Sequence, residues 1–355
     1  MTSLDQAKAV RQGESLDVST IVAYLKANLP GLDGLATVHQ FHSGFSNLTY
    51  LITVGKTELV LRRPPFGKKA KTAHDMGREY RILSALKPVF PHVPAPLAYC
   101  DDPAVMDVPF YVMERMQGII LRKEVPEGLA LDAPAAGRLC QRWVDVLGDL
   151  HGLDYQGCGL ADLGNPDGYV ARQVRGWSKR YRDARTGDVP DFEAVMAWLS
   201  AGMPPDYPKP ALVHNDYKFD NVILDPADLT RIIGVLDWEM ATIGDPLMDL
   251  GACLAYWVEP GDSDELKLIR TLPTLCPGML TRRQIVEWYE KKTGETITNF
   301  AWYYCFGLFR LAVIAQQIYY RFFHGQTTDK RFRMLGFAVG ILEKAAVRVI
   351  EAGEY

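Results

Sequence analysis

Residues 212–225 read LVHNDYKFDNVILD, and they crowd polar side chains between two apolar runs that are typical of buried strands. The eight residues HNDYKFDN contain one His, two Asp, one Lys and two Asn. A surface turn needs only Gly, Pro, Asn or Asp and one or two charges. The density and the spacing of these polar groups therefore indicate a functional loop, and a plain polar turn is the alternative interpretation.

Two short apolar segments beside this loop predict an antiparallel hairpin. NVILD (221–225) and RIIGVLD (231–237) flank the turn-rich sequence PADLT. Asn221 begins the first strand and Asp237 ends the second, so their pairing brings an amide oxygen and a carboxylate to one edge, with Asp216 in the loop just before. Hard oxygen ligands of this kind suit Mg²⁺, and the sequence offers no His or Cys cluster for a softer metal.

Length and charge bound the classes of function. A chain of 355 residues is longer than one hydrophobic core usually supports, which predicts two domains. With 39 basic and 43 acidic residues, the formal net charge is -4. Such a balance gives no sequence-wide attraction for nucleic acid or for an anionic membrane, so we expect neither as a partner. The oligomeric state is left open.

Several features of the chain favour a cytoplasmic protein. The six cysteines are scattered without a CxxC pair, which is typical of reduced thiols in a cytosolic protein. The N-terminus MTSLDQAKAV lacks the apolar core of a signal peptide. The apolar stretch 300–323 is interrupted by Arg310, Gln316, Gln317 and Arg321, which favours a buried helix over a membrane span.

The first third of the chain is predicted to be mostly sheet. After a leader helix within the first 30 residues, the runs ATVHQF, NLTYLITV and TELVLRRP predict three antiparallel strands joined by tight turns. A helix is expected over residues 73–86, and the runs PLAYC and PFYVMERM predict two more strands. Residues 1–117 should therefore form a domain with an antiparallel sheet and one main helix.

The rest of the chain is predicted to be mainly helical. Apolar residues recur at helical spacing over 134–153, 168–185, 191–201 and most of 240–350. The segments ALVH, NVILD and RIIGVLD interrupt this pattern as short strands. Within GDPLMDL, Asp245 precedes Pro246 and is expected to cap a helix. The predicted class is α+β, with residues 118–355 as the larger, helical domain.

Two motifs together resemble a known enzyme family. HNDYKFDN has the spacing HxDxxxxN of the kinase catalytic loop. Followed by VLDWEMATIGDPLMDLG, it resembles the aminoglycoside phosphotransferase and choline kinase family, which has the two-lobed protein-kinase-like fold. VLRRPP, REYRIL and GVLDWEMATIGDPLMDLG are similar to the branch related to kinase-like domains fused to acyl-CoA dehydrogenases. The resemblance spans residues 36–325 and implies a phosphotransferase that uses ATP and Mg²⁺.

The resemblance implies a role for each residue of the catalytic loop. Phosphoryl transfer depends mainly on positioning and on charge neutralisation. Asp216 would orient the acceptor hydroxyl and take its proton, and Lys218 would neutralise the transferred group. Asn221 and Asp237 would hold Mg²⁺. His214 is expected to brace the loop rather than to react.

The N-terminal domain would bind the phosphates of ATP. The turn HSGFSN at residues 42–47 can present backbone N–H groups and two hydroxyls, although an ordinary hairpin turn is the alternative. In the family context, the residues expected to contact ATP there are Ser43, Gly44, Phe45, Ser46 and Asn47.

The third strand should present a cation to the phosphates, where kinases use Lys. This chain has Arg62 in that place, which binds phosphate but is not equivalent to Lys. Glu79 begins an apolar stripe with Ile82, Leu83 and Leu86, so an inward-facing carboxylate there needs a partner. We expect Arg62 to pair with Glu79; the alternatives are a solvated Arg62 and a Glu79 at the edge of the stripe.

FYVMERMQG, at residues 110–118, is expected to form the hinge between the two lobes, at 113–118. Adenine would hydrogen-bond to backbone groups around Glu114 and Met116, and Met113 and Met116 would pack on its ring. The alternative is that these methionines only fill the core.

The sequence leaves the acceptor open. The segment 299–322 is aromatic and apolar, carries Arg310 and Arg321 and has no acidic residue, which suits an apolar or anionic acceptor unless it is simply a core helix. The basic run 172–185 could meet an anion or be a solvated helix face. The link to acyl-CoA dehydrogenases points toward a hydroxyacyl compound. We therefore predict a small-molecule hydroxyl kinase; the alternatives are an aminoglycoside kinase and a nucleotide-binding regulator without turnover.

Overall fold

The computed structural model describes residues 6–42, 47–66, 75–327 and 329–355. These residues fall into two compact units. The sheet unit comprises the described residues of Met1–Ile120, Gly157–Leu160 and Asn221–Glu239, and the helical unit comprises those of Leu121–Gln156, Ala161–Asp220 and Met240–Tyr355. The predicted α+β class is confirmed. The hairpin at residues 221–237 belongs to the sheet unit, whereas the boundary predicted at residue 117 assigns it to the second domain. The prediction that residue 117 separates two lobes stays a prediction.

The sheet unit is built on an antiparallel sheet. In the described residues the strand order is β1-β2-β3-β5-β4. The strands are β1 (Ala36–Phe41), β2 (Leu48–Val54), β3 (Thr57–Arg63), β4 (Pro96–Cys100) and β5 (Phe110–Glu114), and the helices are α1 (Val18–Asn28) and α2 (Met76–Leu86). Tyr50, Ile52, Leu61, Phe110 and Val112 form part of one core on this sheet, as the β-branched and aromatic runs predict.

Helix α2 carries the stripe that the sequence predicts. Its N-cap Asp75 accepts the backbone N–H of Arg78, which fixes where the helix begins. Glu79 is buried on the same face as Ile82, Leu83 and Leu86, so the carboxylate does point inward. The predicted start at residue 73 lies outside the described residues.

The helical unit contains most of the helices. They are α3 (Ala133–His151), α4 (Tyr169–Ala184), α5 (Glu193–Ala201), α6 (Pro246–Leu254), α7 (Asp264–Leu268), α8 (Arg282–Thr293), α9 (Phe300–Phe323) and α10 (Arg333–Ala352). Two short strands, β6 (Ala211–Val213) and β9 (Thr242–Gly244), pair antiparallel. The predicted helical pattern is confirmed for α3, α4 and α5, whereas β9 lies in a segment for which the sequence predicts helix.

The predicted hairpin is confirmed. A 3-10 turn, Phe219–Asn221, leads into β7 (Val222–Leu224), which pairs antiparallel with β8 (Ile232–Val235). The β7 strand also forms an isolated bridge between Leu224 and Ile119.

Helix α9 is a core element. Most of its residues are buried, including the polar Arg310 and Gln316. Among the described residues, no helix is both long and apolar enough to cross a membrane. The interpretation of residues 300–323 as a buried helix is therefore confirmed.

Helices α6 and α9 approach each other through glycines. A Cβ added at Gly307 would lie 2.1 Å from the carbonyl oxygen of Gly251, and a Cβ at Gly251 would lie 2.3 Å from the carbonyl oxygen of Tyr303. Both distances are well below van der Waals contact with rigid backbone. The close packing of these two helices therefore requires glycine at both positions.

We expect Gly307→Ala to lower the free energy of unfolding by about 1–3 kcal/mol or more, because the new methyl forces the two helices apart. Gly340→Ala in α10 is the matched control, since a Cβ there meets no atom within 4 Å. That control should gain roughly 0.5–1 kcal/mol from helix propensity. Urea denaturation measures both, and equal effects would contradict the close approach.

Asp245 caps α6, as predicted, but it is buried. Its Oδ1 accepts the backbone N–H groups of Leu247 at 2.7 Å and Met248 at 3.3 Å. Its Oδ2 has no hydrogen-bond partner among the described residues. Burial therefore raises the pKa of Asp245 from 3.8 to about 6, against the lowering effect of the two N–H groups.

This raised pKa predicts a pH dependence of stability. The folded protein holds the proton more tightly than the unfolded chain, so stability falls as pH rises from 3.8 to about 6 and is level above it. Asn retains the cap but not the charge. The stability of Asp245→Asn relative to the natural protein should therefore rise by roughly 2–3 kcal/mol between pH 4 and pH 8. Denaturant unfolding across this range measures it, with the exposed cap variant Asp132→Asn as control; a difference independent of pH would contradict the assignment.

Candidate active site

A buried ion network links three elements of the sheet unit. Arg62 on β3 donates Nη1–H to Glu79 Oε1 on α2 at 2.9 Å and Nη2–H to Asp237 Oδ1 at 3.0 Å. Arg62 is 7% exposed and Glu79 1%. The predicted pair of Arg62 with Glu79 is confirmed, and the additional contact with Asp237 was not predicted.

One cation in this network faces two carboxylates. Burial is the largest cause that raises the pKa of Glu79, and the charge of Asp237 adds to it, whereas Arg62 lowers it. The two carboxylates and Tyr111 outweigh the effect of burial on Arg62 and hold its pKa well above the usual value. Arg62 therefore stays charged and can neutralise only one carboxylate. The side chain of Asp237 is 31% exposed, so part of this carboxylate faces solvent.

The hairpin brings Asn221 to the same edge as Asp237. Val222 pairs with Val235, and Leu236 donates its N–H to the carbonyl oxygen of Asn221 at 2.8 Å. Asp237 follows directly with φ +69°, a left-handed conformation that non-glycine residues adopt rarely. The predicted juxtaposition of Asn221 and Asp237 is thus confirmed, although Asn221 precedes β7 and Asp237 lies beyond the end of β8.

The donor set at this edge fits Mg²⁺. Amide and carboxylate oxygens are hard ligands, and Mg²⁺ is commonly bound by one or two carboxylates together with substrate phosphates. No group of three or more His, Cys, Asp or Glu ligands occurs in the part of the chain that the structure describes.

In the helical unit, the loop after β6 holds a second charged cluster. Lys218 Nζ lies 2.8 Å from Asp216 Oδ2, 3.5 Å from Asp220 Oδ1 and 5.2 Å from the ring centroid of Tyr256. Although burial lowers the pKa of Lys218, Tyr256 and the two carboxylates raise it well above its usual value. Lys218 therefore remains an ammonium beside Asp216.

Asp220 belongs to this cluster but was missed by the sequence analysis. Burial raises its pKa, while the charge of Lys218 lowers it. The second acidic residue of HNDYKFDN, two positions after Lys218, is the signal that could have identified it.

The loop is braced from α6 by Asp249, which the sequence analysis also missed. This fully buried carboxylate accepts the backbone N–H groups of His214 and Asn215, each at 2.8 Å, and the Nε2–H of His151 at 3.1 Å. Although burial alone would raise it, the hydrogen bond and charge of His151 hold the pKa of Asp249 below its usual value. The backbone of the residue before Asp216 is thereby fixed.

His214 and Arg310 complete the brace. Asp216 donates its N–H to His214 Nδ1 at 3.2 Å, and Arg310 on α9 donates to the carbonyl oxygen of Asn215 at 2.6 Å. Asn215 has φ +64°, a left-handed conformation. Asp249 accepts its N–H and Arg310 donates to its carbonyl oxygen, so both groups are held in this conformation. These contacts agree with the prediction that His214 supports the loop.

Of the turn predicted to cover the phosphates, Ser43, Gly44, Phe45 and Ser46 lie outside the described residues. Asn47, the last residue of the turn, donates its side-chain N–H to Glu239 Oε2 at 2.8 Å.

At the predicted hinge, the Glu114 carboxylate accepts from Lys87 Nζ and from the N–H of Ala95, both at 2.8 Å. The sulfur of Met116 packs on the backbone of Gly234, where a Cβ would come within 2.7 Å of it. Both side chains therefore have contacts within the protein. The predicted contacts with adenine involve the backbone groups around Glu114 and Met116 and the packing of Met116 on the ring, and they stay predictions.

The network around Arg62 predicts a rescue between two substitutions. Arg62→Met should destabilise the protein by about 3–5 kcal/mol, because it leaves Glu79 charged and buried. Adding Glu79→Gln should recover about 2–3 kcal/mol, because it removes that charge. The control is the pair Arg182→Met and Glu193→Gln, whose side chains are 54% and 53% exposed and should couple by less than about 1 kcal/mol. Additive effects of Arg62→Met and Glu79→Gln in denaturation experiments would contradict the buried pair.

Comparisons with known proteins identify the family of this chain. A model of the phosphotransferase enzyme family matches residues 37–275. Acyl-CoA dehydrogenase family member 10 of Mus musculus is 33% identical over 332 residues, which cover 93% of this chain and 31% of the mouse protein. The chain spans less than half the length of the curated relatives it matches.

Solved structures share the fold. A protein from Ralstonia eutropha described as an aminoglycoside phosphotransferase superposes with a TM-score of 0.80 at 28% identity, covering 95% of this chain and 99% of that one. A choline kinase from Cryptosporidium parvum superposes with a TM-score of 0.64 at 12% identity, over 95% and 97% of the two chains, which shows the fold alone. The chain therefore belongs to the phosphotransferase enzyme family.

Proposed function

We propose that this protein transfers the γ-phosphoryl group of ATP to a hydroxyl group of a small acyl compound, with Asp216 as the base. The observation that carries the proposal is the pairing of Asp216 with Lys218 on a loop whose backbone is fixed by Asp249 and Arg310. A carboxylate beside a permanent cation, on a rigid loop, is what proton transfer and charge neutralisation at a phosphoryl group require.

In the proposed step one bond forms, one bond breaks and one proton is transferred. The acceptor oxygen forms a bond to the γ-phosphorus as its proton passes to the Asp216 carboxylate, and the bond from the γ-phosphorus to the bridging oxygen breaks to release ADP. Lys218 lies 2.8 Å from Asp216, so its ammonium can bind the transferred oxygens while Asp216 takes the proton. Asp220 keeps Lys218 in place from the other side.

The residues of the sheet unit would hold the nucleotide and the metal. Asn221 and Asp237 would bind Mg²⁺, which when bound neutralises phosphate charge. Arg62 would contact the phosphates while Glu79 orients it, and its guanidinium offers bidentate contacts that Lys cannot make. The remaining ATP contacts would come from Ser43, Gly44, Phe45, Ser46 and Asn47 in the turn and from Glu114 and Met116 at the hinge.

A hydroxyacyl compound is the acceptor class that we favour. The similarity to acyl-CoA dehydrogenase family members supports it, and so does the lack of any acidic side chain along Phe300–Phe323. An aminoglycoside is a polycation, and the cations Lys218 and Arg310 near Asp216 would repel it.

The proposal is tested by ADP release from Mg-ATP in the presence of hydroxyacyl thioesters, hydroxy acids, sugars, choline and aminoglycosides, with the phosphorylated product identified by ³¹P NMR. Asp216→Asn should lower kcat by about 10²–10⁴-fold for the acceptor found, because Asn cannot take the proton. Asp33→Asn, which removes a fully exposed carboxylate, is the control and should leave kcat unchanged. An Asp216→Asn variant as active as the natural protein would contradict the proposed base.

A further inference from the structure

Arg310 is a buried cation that has no counter-ion among the described residues. It lies on α9, is 5% exposed, and makes no salt bridge with any described residue. Its one hydrogen bond within the described chain joins Nη2 to the carbonyl oxygen of Asn215 at 2.6 Å, and its guanidinium carbon lies 5.1 Å from the ring centroid of Trp177. Burying a charge with so little compensation is costly.

Two other buried arginines of this protein, Arg282 and Arg62, are compensated by close carboxylates. In the helical unit, Arg282 pairs with Asp262 at 2.8 Å and approaches Glu259 at 3.5 Å. In the sheet unit, Arg62 pairs with Glu79 and Asp237. A residue that only had to hold the Asn215 carbonyl would need one donor, whereas a guanidinium carries five N–H groups in a planar fork. Holding the loop therefore does not account for the choice of Arg.

Arg310 lies close to the proposed base. Its hydrogen-bond partner Asn215 directly precedes Asp216 in the chain. Asp216, Lys218 and Arg310 all act electrostatically on the Tyr256 hydroxyl, where burial is the largest cause that raises the pKa to about 12. Arg310 and Asp216 thus both lie within electrostatic range of the Tyr256 hydroxyl, and the carbonyl group that Arg310 holds belongs to the residue directly before Asp216.

We propose that Arg310 determines the acceptor by binding an acyl oxygen, that of a carboxylate or of a thioester carbonyl, close to the hydroxyl that is phosphorylated. This inference rests on the proposed function of Asp216. The free N–H groups of the guanidinium would donate to this oxygen, and a planar oxygen acceptor matches their geometry. Trp177 keeps the guanidinium plane in place through its ring face.

The test compares Arg310→Met and Arg310→Lys with the natural protein. The acceptors are hydroxy acids, their coenzyme A thioesters, and diols in which a hydroxymethyl group replaces the acyl group. For one of the two acyl series, Arg310→Met should lower kcat/KM by about 10–100-fold, mainly through KM, because a lost charged hydrogen bond is worth about 1.5–3 kcal/mol. KM for ATP and kcat/KM for the diols should change little, and Arg310→Lys should recover part of the loss. The acyl series that responds identifies the source of the oxygen.

Arg321→Met is the matched control, since Arg321 is an exposed cation on the same helix, and it should leave all these constants unchanged. An equal loss of kcat for acyl and diol acceptors would overturn the proposal, since it would mean that Arg310 only braces the loop. A natural protein that prefers diols or cationic alcohols would overturn it as well, whether or not the variants fold.

Binding without turnover separates this proposal from that of the base. Acyl analogues without the hydroxyl, one a free acid and one a thioester, are titrated calorimetrically into the natural protein and into Arg310→Met. At least one of the two analogues should have a Kd for the natural protein that is at least tenfold lower than its Kd for Arg310→Met. If neither analogue binds the natural protein more tightly, the role of Arg310 is overturned. If Asp216→Asn does not lower kcat in the ADP assay, only the proposed role of Asp216 is overturned.

Discussion

The contact on which the sheet unit depends is the buried guanidinium of Arg62 between two carboxylates. It joins the third strand, helix α2 and the end of the hairpin, three segments that are far apart in the sequence. Because Glu79 is almost fully buried, it needs this cation, and the register of β3 and the rotation of α2 must present the two groups to each other. The same cation cannot fully neutralise Asp237 as well. The Asp237 carboxylate is partly exposed at the edge where Asn221 also lies, and under the proposed function a divalent cation would bind there.

In the helical unit the buried charge is an anion instead of a cation, and it is satisfied by N–H donors. Asp249 is a buried anion that is satisfied by two backbone N–H groups and one imidazole, and these groups belong to the loop that carries Asp216 and to helix α3. The loop can adopt the left-handed conformation at Asn215 because its N–H and its C=O are both bound, by Asp249 and by Arg310. In the proposed reaction, the Asp216 carboxylate on this fixed loop would be pre-organised, so little reorganisation would be needed when charge develops on the acceptor.

The sequence predicts the parts of this arrangement that follow from local patterns. Two short apolar runs and the turn-rich loop between them indicate the hairpin and therefore the approach of Asn221 to Asp237. The helical stripe around Glu79 indicates an inward carboxylate that needs Arg62. The contacts that it misses are tertiary. Asp249 takes its partners from 34 and 98 residues away, and nothing in GDPLMDL distinguishes a buried acceptor from a first-turn acid. The short strand β9 was missed because three residues are too few to show a period.

The central claim is that Asp237, despite its contact with Arg62, is a ligand of the metal that accompanies the nucleotide. Calorimetric titration of ADP with and without Mg²⁺, in the natural protein and in Asp237→Asn, tests it most directly. The account predicts that Mg²⁺ strengthens ADP binding to the natural protein and that Asp237→Asn loses most of this gain while it still binds ADP alone. An equal gain from Mg²⁺ in both proteins would contradict it, since Asp237 would then serve only as a partner of Arg62.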